Sequence, residues 1–423
     1  MRRAAAASTI LTLCIFTAAC GQSVPSSDTF SITIRTAAEL QQLEGLREIS
    51  GNLEIMAPEL TELNALQSLE RVGGNLVISH CTSLENLAGL KNLQEVAARV
   101  TISHNASLTS LSGLHGLVDT GAYFFISEND ALESLDGLQS LETVGGSFML
   151  WLNPSLKDLT ALTELRSIAG ELKIIDNATL ESLSGLDMLH SAQSIIISAN
   201  PELRDLGALG NIEQLSGNLN INGNTALRNL EGLRGLTQIA GEFTIHHNTA
   251  LETLAGLENL ETVGQDFVIL NLERLTNITA LRSLQLIGGD FGIQGCHTLS
   301  NLEGLSSLAS ITGGIIFYDN QGLESFHGLQ GLKELGGSLI MHNHRALETL
   351  SGLEALGQIG GEIEFYGNTQ LRDVMALATV HNIGSDVRFQ NNQNLSSCHL
   401  EAMLDAIGTE NIGGNITLDT TCH

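Results

Sequence analysis

One interval governs this chain. Leu76, Val100, Phe124, Phe148, Leu172, Ile195, Leu219, Phe243, Phe267, Phe291, Ile315, Leu339, Ile363 and Val387 recur every 24 residues, with a single interval of 23. A spacing so regular makes each repeat one turn of a solenoid, its side chains stacked on their counterparts in the next turn. Within one turn, Leu76 and Ile78 alternate with Val77 and Ser79, the period-two pattern of a strand with one buried face. Leu84, Leu87, Leu90, Leu93 and Val96 supply further apolar columns. No single turn could bury these side chains alone, whereas a stack can. The expectation is an all-β solenoid of about 15 to 16 turns, built on a parallel β-helix.

Between the strand and the first leucine runs a column of Asn105, Asn129, Asn153, Asn177, Asn200, Asn224, Asn248, Asn320, Asn368 and Asn392, interrupted by Cys81, Leu272, Cys296 and His344. Stacked asparagines can hydrogen-bond along the axis and satisfy backbone groups at a bend. Glycines recur ahead of the strand, as at Gly74, and in the Gly-Leu step, as at Gly113, where tight corners are expected to need unusual backbone angles.

The pattern L-x-G-L-x-x-L-x-x-V-x-G-x-L-x-I-x-x-N-x-x-L resembles the repeats of receptor L domains, over roughly residues 30 to 422. That resemblance implies a right-handed, single-stranded β-helix. The chain has more turns than a receptor L domain and lacks the cysteine-rich modules of such receptors, so receptor function is not carried over. A leucine-rich-repeat horseshoe shares L-x-I-x-x-N. Against it, the next Leu follows Asn by three residues (Asn105 to Leu108), and no helix-forming run fills the rest of the turn.

The first 20 residues read as an export signal: Arg2 and Arg3, an apolar run from Ala4 to Phe16, then Thr17-Ala18-Ala19-Cys20. That ending resembles a bacterial lipobox, with Thr17 in place of the usual Leu. The resemblance implies lipidation of Cys20 and, with Gly21 following, an outer-membrane or cell-surface destination; ordinary cleavage and secretion is the alternative. Residues 21–29 suit a flexible tether, and the solenoid spans 30–422.

Both solenoid ends are expected to be covered. An N-cap over about 30–50 contains the capping box Thr36-Ala37-Ala38-Glu39, opening a helix through Gln42. A C-cap over about 396–422 has a short helix from His399 to Ile407, stopped by Gly408, and a last strand from Asn415 to Leu418. In an exported protein Cys398 and Cys422 form the natural disulfide. Cys81 and Cys296 lie nine turns apart, about 43 Å at the strand spacing, and are expected to be free thiols in structural slots.

Removing the signal leaves 17 Lys and Arg against 47 Asp and Glu. Such a surface repels nucleic acid and anionic lipid, and also keeps a long solenoid soluble and monomeric. The cations are dispersed rather than gathered as an enzyme acting on acidic polysaccharide would need. Glu133, Lys157, Glu181 and Arg204 form one alternating column, read as a solvated ladder. Nucleophile-elbow, phosphate-loop, zinc-ligand and calcium-loop patterns are absent from the sequence, and it calls for no metal or cofactor. His80 and His104 share a column without a third ligand, and His246 and His247 are equally unsupported.

The outward strand columns are small or polar at most turns. They depart from this at Tyr123, Phe125, Met149, Trp151, Ile175 and Ile196, and again at Ile316, Tyr318, Ile340, His342 and Tyr366. The only Trp and all three Tyr fall in these two clusters. Contiguous apolar patches with polar rims mark binding surfaces, although a covering loop or plain β-propensity would also place such residues there. The expectation is a non-enzymatic surface lipoprotein presenting a sheet face to a protein or glycan. A structural envelope spacer is the rival, and a polysaccharide-processing enzyme comes third.

Overall fold

The computed structural model describes residues 30–418. The signal segment, Cys20, the tether and Cys422 lie outside the described residues. Each turn contributes one short strand, usually four residues, to a 17-stranded sheet whose neighbours are parallel and in chain order. The column that defined the repeat is also its register: Leu76 faces Val100, Val100 faces Phe124, Phe124 faces Phe148 and Phe148 faces Leu172. Every member is fully buried. Two turns precede the first column member found in the sequence, since Ile32 pairs with Leu53 and Leu53 with Leu76. Sixteen steps of about 4.8 Å give a rod roughly 77 Å long.

Most turns carry a second, shorter strand, so the single chain winds as a β-helix with more than one wall, in keeping with the resemblance. Two-residue strands such as Glu95–Val96 and Thr143–Val144 form a second ladder along another wall. This ladder divides into a six-stranded sheet ending at Ser167–Ile168 and an eight-stranded sheet beginning at Gln214–Leu215. The break coincides with the turn of 23 residues. Ile168 stands four residues ahead of Leu172, but Ala192 stands only three ahead of Ile195. The shortened corner leaves one isolated bridge, Ser167 to Ser191, where a strand pair would form.

The asparagine column forms the expected ladder. Asn105 Nδ2 donates to the Ile78 carbonyl at 3.0 Å, and Asn129 Oδ1 accepts from the Asn105 backbone N–H at 3.1 Å and from its Nδ2 at 3.2 Å. The motif repeats through Asn248, with every member buried. Cys81 and Cys296 occupy the same slot, their backbone N–H groups donating to Asn105 and Asn320 Oδ1. Both thiols are free and buried, and burial pushes Cys296 up to about 12 and raises Cys81. His344 is a close substitute: Nδ1 accepts from the Asn320 N–H at 3.1 Å, and Nε2 donates to the Phe317 carbonyl at 3.2 Å, just where an asparagine amide would.

The glycine expectation is half right. Gly113 has a φ of +126°, as its corner requires, but the pre-strand Gly74 has an ordinary φ. Gly74 is needed for close approach instead, because a methyl group there would collide with the Gly51 backbone of the preceding turn. The systematic left-handed position is elsewhere, immediately before the ladder residue. His80, His104, Glu128, Leu152, Asp176 and Ala199 all have φ between 53° and 56°. The ladder holds them there: Asn153 and Asn200 Nδ2 also donate two residues back, to the Trp151 and Ser198 carbonyls at 3.2 and 3.0 Å.

Both caps are present. Helix Ala37–Gln41 opens on a complete capping box between Thr36 and Glu39 and buries Leu40. Helix Ser397–Ile407 begins two residues earlier than expected, ends at Gly408 with φ 80°, and lays Leu400, Met403, Leu404 and Ile407 over the last turn. The final strand is Ile416–Leu418. Cys398 is disulfide-bonded, while its expected partner Cys422 lies outside the described residues. No helix among the described residues is long and apolar enough to cross a membrane.

Candidate functional site

The outward face of the main sheet positions both clusters, because strict register sets each side chain beside its counterpart one turn away. Phe125, Met149, Lys173 and Ile196 form one row and Ser127, Trp151, Ile175 and Ser198 the next. Phe125 and Trp151 stack at 6.3 Å with ring planes 21° apart. Phe125, Met149, Trp151, Ile175 and Ile196 are half-buried by one another, and Tyr123 is 59% exposed. Lys173 crosses this patch, its ammonium 2.6 Å from Glu171.

A cleft of about 350 Å³ opens beside Tyr123, Phe125 and Met149, with Arg99, Ser147, Glu171 and Lys173 at its margin. Arg99, Ser147 and Glu171 were not singled out from the sequence. Together with Tyr123 they belong to the column immediately ahead of the strand, where small polar residues form a second ladder. Asn52 Oδ1 accepts from the Asn75 N–H at 2.8 Å, Ser194 Oγ from Asn218 at 3.0 Å, and Asp266 Oδ1 from Asp290 at 2.7 Å. Arg99 and Tyr123 are consecutive departures from that rule, and a column count one residue upstream of the strand would have exposed them.

The second cluster is built differently. Tyr318 meets His342 edge-on at 5.1 Å, and His342 lies 5.7 Å from Tyr366. His342 Nε2 is 2.9 Å from Glu364 Oε1, and Arg388 pairs with Glu364 at 3.3 Å and also with Glu362 and Asp386. Ile316 and Ile340 are half-buried on the flank. This region is a polar network in which three carboxylates, Glu362, Glu364 and Asp386, all engage Arg388, and Glu364 also engages His342. A neighbouring polar hollow of about 470 Å³ is lined by Asn271, Gln294, His297, Asp319, Gln321 and Arg345.

The remaining polar columns resolve into local pairs. His80 and His104 stack at 4.5 Å, and His104 Nε2 turns to Glu128 at 2.9 Å. His246 and His247 approach through Nδ1 at 3.0 Å, with burial lowering the pKa of His246. Among the described residues no group of three or more His, Cys, Asp or Glu has metal-holding geometry. In the alternating column Lys157 lies 2.8 Å from Glu133, and its hydrogen bond holds that carboxyl below its ordinary range; Arg204 lies 3.6 Å from Glu181.

Comparison with known families agrees with the repeat pattern. The family described as Receptor L domain matches residues 27–112. That is about a fifth of the chain, and the later turns continue its columns in register. Among solved structures, the chain is similar to one described as a TLR13–ssRNA13 complex, at 14% identity over 92% of this chain and 87% of that chain. Its TM-score of 0.15 is too low to carry an argument. No curated protein matches.

Proposed function

We propose that this protein is a non-enzymatic, lipid-anchored protein of the outer membrane or cell surface, whose long sheet binds a protein or glycan partner as a monomer. The observation that carries this reading is the run of Tyr123, Phe125, Met149, Trp151, Ile175 and Ile196 on the outward face of consecutive turns, where the repeat elsewhere places mostly small or polar residues. Large apolar side chains kept at a rigid, solvent-facing surface are characteristic of recognition sites. A purely structural spacer would gain nothing from a cleft beside them.

The anchor is supported by Arg2, Arg3, the apolar run to Phe16 and the lipobox-like Thr17-Ala18-Ala19-Cys20. A Cys20→Ser protein should be lost from the membrane fraction, and continued partitioning there would contradict the anchor. Serine at Phe125, Trp151 and Tyr318 together should deplete envelope components from a pull-down. Unchanged retention of every component would leave the spacer reading in place, and turnover on a glycan array would restore the enzyme.

A further inference from the structure

We infer that the cleft beside Tyr123 and Phe125 receives a peptide segment of a partner protein carrying an aromatic side chain next to a carboxylate. The ring packs on Phe125 and Met149, and the carboxylate meets Arg99. This rests on the binding reading above and names the chemistry of its ligand.

Charge is the first argument. The chain carries a net charge of −28, so a cation at the mouth of an apolar cleft runs against its overall character. Lys173 is already matched by Glu171 at 2.6 Å, whereas Arg99 makes no ion pair among the described residues. An exposed guanidinium beside aromatic rings suits a carboxylate, which it can hold through two parallel hydrogen bonds.

The lining supplies the second argument. Tyr123, Phe125 and Met149 offer ring faces and a polarisable thioether, good partners for an incoming aromatic group. Sugar hydroxyls would instead need several directional polar partners. The cleft provides only Thr101, Ser147 and the Tyr123 hydroxyl as neutral side-chain ones, and the Ser147 hydroxyl already accepts from the Glu171 N–H at 3.0 Å. Its volume of about 350 Å³ lies at the small end of ligand sites, enough for a side chain and its neighbour but not for an extended oligosaccharide.

Trp151 reports on this site, being the only tryptophan in the chain and stacked on Phe125. The full mature protein is titrated with three probes: an acetylated peptide with phenylalanine beside aspartate, the same peptide with asparagine for aspartate, and neutral cello-oligosaccharide. The acidic peptide should shift Trp151 emission saturably and bind about tenfold more tightly than its neutral counterpart. Arg99→Gln, at an exposed position, should abolish that preference, and Tyr123→Ala should weaken both peptides. Circular dichroism establishes that each variant is folded. A response to the oligosaccharide alone, an equal response to both peptides, or no response at about 1 mM peptide would overturn the inference. If the envelope pull-down still depends on Phe125 and Trp151 in that case, the binding reading stands and only the ligand chemistry falls.

Discussion

The two aromatic clusters occupy equivalent columns of one sheet, yet the structure makes them different objects. Around Phe125 and Trp151 the outward face is apolar, opens into a cleft, and holds a guanidinium at Arg99 without an ion-pair partner among the described residues. Around Tyr318 and Tyr366 the rings flank His342, which meets Glu364, and Arg388 is already engaged by Glu364, Glu362 and Asp386. Polar groups already matched within the protein have little left to offer a ligand, whereas unmatched ones do. The interior beneath the clusters differs too. The asparagine ladder is unbroken from Asn105 to Asn248, whereas Leu272, Cys296 and His344 interrupt it in the second half. Proximity of aromatic residues is thus a weak sign of function until their hydrogen bonds and charges have been traced.

The sharpest way to separate the halves is pH. His344 is neutral in the fold, and burial lowers its pKa from 6.5 to about 4. Its stabilisation is therefore complete above about 6.5, where both folded and unfolded states are neutral. It is lost as pH falls toward 4, because the unfolded chain takes up the proton first. Protonating Nδ1 removes the acceptor for the Asn320 N–H. The loss should reach about 3 kcal/mol. Hydrogen exchange at pH 7 and pH 4.5 should show strands Ile315–Tyr318 and Leu339–His342 loosening while Phe124–Ser127 is much less affected. His344→Asn should abolish the difference, and an unchanged acid response in that variant would break the contrast.

A smaller effect tests the apolar half. Phe125→Ala should lower stability by about 1 kcal/mol through loss of the stack, and should shift Trp151 emission as its ring becomes wetter. Denaturant midpoints and emission spectra read both changes. An unmoved spectrum would mean that the rings do not stack in solution. The smallest expected effect lies at the shared corner: Ala199 has φ 55°, and Ala199→Gly should stabilise by several tenths of a kcal/mol up to about 1. A destabilising Ala199→Gly would indicate that the left-handed corner is absent.

Most of the solenoid was legible in the sequence because side-chain period and turn length are properties of the chain itself. The register of Leu76, Val100 and Phe124, the roles of Asn105, Cys81 and Cys296, and the Thr36–Glu39 cap all followed from spacing. What escaped depends on contacts between turns. The second ladder of Asn52, Ser194 and Asp266 was hidden because its members differ in type while sharing one hydrogen bond. The left-handed corner was hidden because His80, Leu152 and Ala199 share no chemistry, only a backbone angle imposed by the neighbouring asparagine. The cleft needed Arg99 and Tyr123 to be seen as adjacent breaks in that second ladder. Whether ring clusters were free or already matched required the distances around His342 and Arg388.

On the proposed function, the first cluster and not the second meets a partner at the cell surface. Photo-crosslinking residues placed at positions 123 and 366 of the full chain, activated on intact cells, test it most directly. A discrete higher-mass adduct is expected from position 123, removed by Phe125→Ser, with little or none from position 366. No adduct at 123, or the same adduct from both positions, would contradict it.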